Sequence, residues 1–152
     1  MFNIEGRRRQ LLTAVDLATH LILAFMLAGF FRRLTLGWAW PVLGFTGGVL
    51  IDLDHFIDYF FYYGWRFDLG DFFNHRYKDS GRCYIIFHSW ELLIALWVFS
   101  AGVLWITPVV TGMTVHVLTD YLFHPQLGVL RLSLLYRWRH GLKRGRISFN
   151  CR

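Results

Sequence analysis

Eleven ionisable residues of this chain lie inside long apolar stretches, and no basic residue goes with them. They are Asp16, His20, Asp52, Asp54, His55, Asp58, His88, Glu91, His116, Asp120 and His124. That is six of the 10 acidic residues and five of the 7 histidines. None of the 16 Lys and Arg residues falls clearly within the same stretches. Unpaired buried carboxylates are costly, so they neutralise or are matched by another charge. A bound cation is the simplest match, and the pattern predicts a metal site embedded in a membrane.

The rest of the chain fits a membrane setting. Hydrophobic residues make up 55% of the 152, and the mean hydropathy is +0.38. The net charge of +6 would also suit a nucleic-acid binder. Here the cations gather at the ends of apolar segments, as membrane proteins place them, so no nucleic-acid partner is expected. Four segments reach spanning length, at residues 11–31, 38–62, 84–106 and 108–130. They predict an all-α, polytopic bundle of about four transmembrane helices, forming a single domain over residues 1–152.

Arg7–Arg9, the 64–82 connection and the tail at 131–152 hold most of the positive charge. The positive-inside rule then puts both termini on the cytoplasmic face of the cell (inner or plasma) membrane, with Arg32 and Arg33 dissenting. The 64–82 connection is too polar to span and suits a short interfacial helix around residues 68–77. The basic tail suits anionic lipid. Cys83 and Cys151 lie far apart and read as free thiols. Four short helices could close a site alone or as a homodimer.

The ionisable residues have helical spacing. His116, Asp120 and His124 fall at i, i+4 and i+8, a stripe about 80° wide. In the second segment Asp54, His55 and Asp58 share a face about 100° wide, with Asp52 about 60° beyond. His88 and Glu91 converge at i, i+3, and Asp16 and His20 at i, i+4. Counted from the segment ends, His20, Asp54, His55, His88, Glu91, Asp120 and His124 fall in one layer on the cytoplasmic side of the midplane. Just upstream, Gly44, Gly47 and Gly48 include a GxxxG spacing that permits close helix contact.

The order His20, Asp52-Leu53-Asp54-His55, His88-Ser89 and His116-x-x-x-Asp120 resembles the membrane-bound metal-dependent hydrolases, the YdjM-like proteins. These are distantly similar to the zinc-dependent phospholipase C and P1 nuclease group, which is helical and cleaves phosphoesters at a cluster of zinc ions. The resemblance covers nearly the whole chain. It implies His20, Asp52 or Asp54, His55, His88, His116 and Asp120 as ligands. The chain departs from the family at Ile51, where the family has proline, and at Phe87, where it has threonine. His75-Arg76 also stands 13 residues ahead of His88-Ser89.

The leading expectation is therefore an integral membrane hydrolase of a phosphoester, plausibly one attached to a membrane lipid. His20, Asp52, Asp54, His55, His88, His116, Asp120 and His124 are the candidate metal ligands. These donors suit zinc, with manganese or iron as further choices. Bound metal would activate water, and Glu91 or Asp54 would accept the proton. Arg76, Lys78 or Arg82 would hold the substrate phosphate. Two alternatives stand beside this one: a metal-ion or proton transporter, and a non-catalytic membrane protein with a structural metal site.

Overall fold

The computed structural model describes residues 4–35, 37–73, 85–123, 130 and 132–140. Among these, every regular element is helical. In chain order they are α1 (Ile4–Leu34), α2 (Ala39–Leu50), α3 (Leu53–Tyr63), α4 (Leu69–Phe73), α5 (Trp90–Ser100), a 3-10 turn (Leu104–Ile106), α6 (Thr107–Phe123) and α7 (Leu134–Arg139).

The first segment forms one long helix. At 31 residues α1 is about 46 Å long. Its Gln10–Leu34 stretch is, among the described residues, the helix long and apolar enough to cross a bilayer. Leu11, Ile22, Phe25, Met26 and Phe30 on it are each more than half exposed, as are Ile94, Val98 and Phe99 on α5. Contiguous outward apolar surface of this kind marks a face for protein or lipid contact. At the far end of α1, Arg32 lies over the Trp38 ring at 5.0 Å and donates to the Thr35 carbonyl. The tip of the turn thus engages one of the two cations that dissent on orientation.

Among the described residues, the other three segments form shorter helices. The second breaks between α2 and α3, where the Asp52 N–H turns back to Val49 and the His55 N–H to Asp52. These i→i+3 bonds tighten the chain and end the α-helical ladder. The third is helical over the 11 residues of α5, followed by the 3-10 turn. The fourth begins at Thr107-Pro108, where proline suits a helix start, and α6 has 17 residues. In the 64–82 connection a five-residue helix, α4, forms, with Asp68 accepting from the Asp71 N–H at its start. Residues 74–77 lie outside the described residues. Phe56, Phe67 and Phe72 pack between α3 and α4, and the Tyr59 hydroxyl accepts from the Asp68 N–H at 2.9 Å.

Helices α1, α2 and α6 pack on one another, α5 rests on α6, and α7 touches α5. Glycine makes the α2–α6 crossing close. A Cβ on Gly47 would collide with the Val109 backbone, and one on Gly112 with the backbone of Gly44 and Gly48. A Cβ on Gly48 would press on Ala24 of α1 at 3.3 Å. The GxxxG stripe therefore joins all three helices. Ile51, Leu93, Val110, Met113, Val117 and Leu132 form the buried apolar cluster beside it.

Candidate metal centre

Close packing at Gly112 brings the next turn of α6 against the end of α2. His116 is one turn beyond Gly112 and donates from Nδ1 to the Gly48 carbonyl at 2.7 Å. That carbonyl is near the α2 break, where the regular ladder stops. Asp120 is one turn further along the same face. It faces His20 of α1, with His20 Nε2 3.1 Å from Asp120 Oδ1.

The break also places Asp52 and Asp54. Asp52 precedes α3, and its side chain caps no backbone N–H there. Its Oδ1 instead lies 3.3 Å from His116 Nε2 and 3.5 Å from His88 Nε2. Both carboxylates sit at the positive end of the α3 dipole, which favours negative charge. Asp54 is fully buried, and its Oδ2 accepts from the Phe87 N–H at 2.9 Å and from His88 Nδ1 at 3.0 Å. Ser89 caps α5 and donates to the Ile86 carbonyl, which closes the turn carrying His88.

These partners determine which ring nitrogens carry protons. A backbone carbonyl can only accept, so Nδ1 of His116 is protonated. The same holds for His20, whose Nδ1 lies 2.9 Å from the Asp16 carbonyl. His88 Nδ1 faces a carboxylate and is a donor too. In neutral imidazoles the three Nε2 atoms then present lone pairs, and all three point at carboxylate oxygens or at each other. His88 Nε2 and His116 Nε2 are 3.3 Å apart. Acceptors facing acceptors repel, and one cation between them removes the conflict.

The spacing has the right size for such an ion. Metal–ligand distances of about 2.0–2.1 Å give a tetrahedron with edges of about 3.3–3.4 Å. Asp52 Oδ1, His88 Nε2 and His116 Nε2 form a triangle of 3.3, 3.3 and 3.5 Å. Asp120 Oδ2 lies 3.5 Å from His88 Nε2 and 3.7 Å from His116 Nε2. Four donors from three separate parts of the chain thus gather around His88 Nε2 and His116 Nε2, at 3.3–3.7 Å. His20 and His55 flank it. His20 groups with His116 and Asp120, and His55 with Asp52 and His88.

The cluster is open on one side. The side chains of His20, His88 and His116 are at most 6% exposed, whereas Asp52 is 35%, His55 24% and Asp120 17% exposed. On the closed side, beside His20 and His116, there is a cavity of about 10 Å³ bounded by Gly48, Gly112 and Thr119. It has room for about one water. The partly exposed members of the cluster are thus Asp52, His55 and Asp120.

Several expected residues sit elsewhere or do other work. Glu91 caps α7: its carboxylate accepts from the Ser133 hydroxyl and from the Leu134 and Leu135 N–H groups. Asp54 spends one oxygen on orienting His88, and its buried Oδ1 has no partner among the described residues. Asp58 is buried one turn beyond Asp54. His124, Arg76, Lys78 and Arg82 lie outside the described residues. The sequence pairs Asp16 with His20 and marks Gly48 for close packing, but it does not show that their backbone carbonyls orient His20 and His116; the Asp16 carboxylate lies further off, 3.8 Å from His20 Nδ1. No residue-type signal marks a main-chain acceptor.

The chain matches no known family model, no curated protein and no solved structure.

Proposed function

We propose that the chain is an integral membrane, metal-dependent hydrolase of a phosphoester carried by a membrane lipid. The observation that supports this most directly is the convergence of two Nδ1-anchored histidines, His88 and His116, and two carboxylates, Asp52 and Asp120, at spacings that suit a zinc ion. In this reading Asp52, His88, His116 and Asp120 hold the ion, and His20 and His55 extend the donor set. Zinc is the favoured metal, with manganese or iron as further choices.

A divalent ion in such a site supplies Lewis-acid activation of water and stabilises charge on a phosphoryl oxygen. The chain's own residues orient the ligands. Asp54 and the Gly48 carbonyl hold the imidazoles in one tautomer, as the outer partners of metal ligands do. His55, with Nε2 3.7 Å from Asp52 Oδ1, would extend the donor set from the open side. Apolar surface on α1 and α5 would give an acyl chain access from the bilayer.

The test is turnover by metal-loaded protein of phospholipid, prenyl phosphate and a generic phosphodiester. The proposal expects hydrolysis of at least one lipid-borne substrate, abolished in His116→Ala. Tight metal binding with no turnover of any of them would contradict it. The break in the second segment favours a second reading, metal transport, because discontinuous helices with exposed backbone carbonyls mark ion sites in transporters. Metal flux into proteoliposomes that is lost in Asp120→Ala would select transport instead.

A further inference from the structure

Away from the metal cluster, α7 carries a charge that no acidic side chain among the described residues balances. Arg137 is 3% exposed. Its Nε donates to the Ser133 carbonyl at 3.3 Å, and its buried Nη2 has no acceptor among the described residues. The nearby carboxylate, Glu91, is occupied by Ser133 and by the backbone of Leu134 and Leu135. None of the ion pairs among the described residues includes Arg137. The sequence holds no Asp or Glu after Asp120, whereas seven Lys and Arg residues follow Leu130.

A buried guanidinium without an anion is strongly unfavourable, so the charge points to a ligand. A second buried donor lies at the same joint. The Trp90 backbone N–H is bonded to the Leu132 carbonyl, but its indole N–H has no acceptor among the described residues. The outer face of α7 is apolar and exposed, with Leu135 at 62% and Trp138 at 73%. Arg139 is exposed beside them. A planar fork of N–H donors on the inner face of a helix whose outer face carries exposed aromatic and aliphatic side chains suits a phosphate with an acyl chain attached.

We propose that Arg137 is the binding residue for the phosphate of an anionic membrane phospholipid, held where α7 meets α5, with Leu135 and Trp138 against its acyl region. Because the guanidinium is unbalanced without ligand, its removal should not weaken the lipid-free protein. A purely structural arginine would behave in the opposite way.

Thermal unfolding of the full chain in neutral detergent tests this, with phosphatidylglycerol, phosphatidylcholine or inorganic phosphate added. Phosphatidylglycerol at a hundredfold excess over its Kd should raise Tm by about 5–10 °C, and phosphatidylcholine should not. In Arg137→Gln the lipid-free Tm should be equal or higher and the rise should disappear. Arg139→Gln, which changes an exposed cation, should keep most of it. An equal rise in Arg137→Gln would overturn the site in favour of diffuse attraction to the basic surface. An equal rise with inorganic phosphate would overturn the lipid assignment. No rise at all, or a lipid-free Arg137→Gln protein that is less stable, would overturn the proposal as well. The inference rests on the membrane setting and not on the metal. Running the titration with and without chelator keeps its failure separate from that of the hydrolase reading.

Discussion

At the scale of single residues, the centre depends on which atom of each side chain is already committed. Asp54 is the clearest case. It lies in a run of three carboxylates and reads from the sequence as a ligand or a base, yet its Oδ2 is used by the Phe87 N–H and His88 Nδ1. Asp54→Asn should therefore leave a metal site with about 10–100-fold weaker affinity, measured by competition with a chromophoric chelator. Complete loss of binding, as expected for His116→Ala, would make Asp54 a direct ligand. Glu91 gives the converse prediction. Glu91→Gln should lower stability by about 1–2 kcal/mol through the weakened α7 cap, and leave metal content unchanged. Residue types and spacing bring out the donor set in the sequence. They do not reveal which oxygen faces inward, because that depends on a contact made 33 residues away between Phe87 and Asp54.

At the scale of elements, the site exists because two helices meet without side chains between them. Gly47 and Gly112 sit where the α2 and α6 backbones touch, and one turn later His116 reaches the Gly48 carbonyl. Gly112→Ala should push the helices apart, with an overpacking cost of about 1–3 kcal/mol seen as a lower Tm. It should also reduce metal affinity, because His116 and Asp120 move with α6. Gly29→Ala is the control, since a Cβ there meets nothing within 4 Å. It should leave both quantities intact. The glycine spacing is visible in the sequence, but its partners are not, since GxxxG alone names no neighbour. The break at Ile51–Asp52 was hidden for a related reason. Residues 38–62 are apolar enough to read as one span, and only the i→i+3 bonds at Asp52 and His55 divide them.

At the scale of the whole molecule, helical character and the convergence of distant polar residues were legible because burial in apolar stretches needs a common explanation. His20, Asp52, His88, His116 and Asp120 come from four segments and meet within a few ångströms. Helix breaks were less legible, because apolar length does not report where a helix is interrupted. Metal should hold these segments together, so chelation should lower Tm, and re-addition of zinc should restore it. Occupancy should also fall as pH falls, because protons compete for the three Nε2 lone pairs. The most direct test of the centre is elemental analysis of gently purified protein, wild type beside the His116→Ala/Asp120→Ala double variant. The account predicts at least one equivalent of zinc, manganese or iron per chain in the wild type and loss of that metal in the variant. A wild-type protein that folds normally and neither retains nor takes up any of these metals would contradict it.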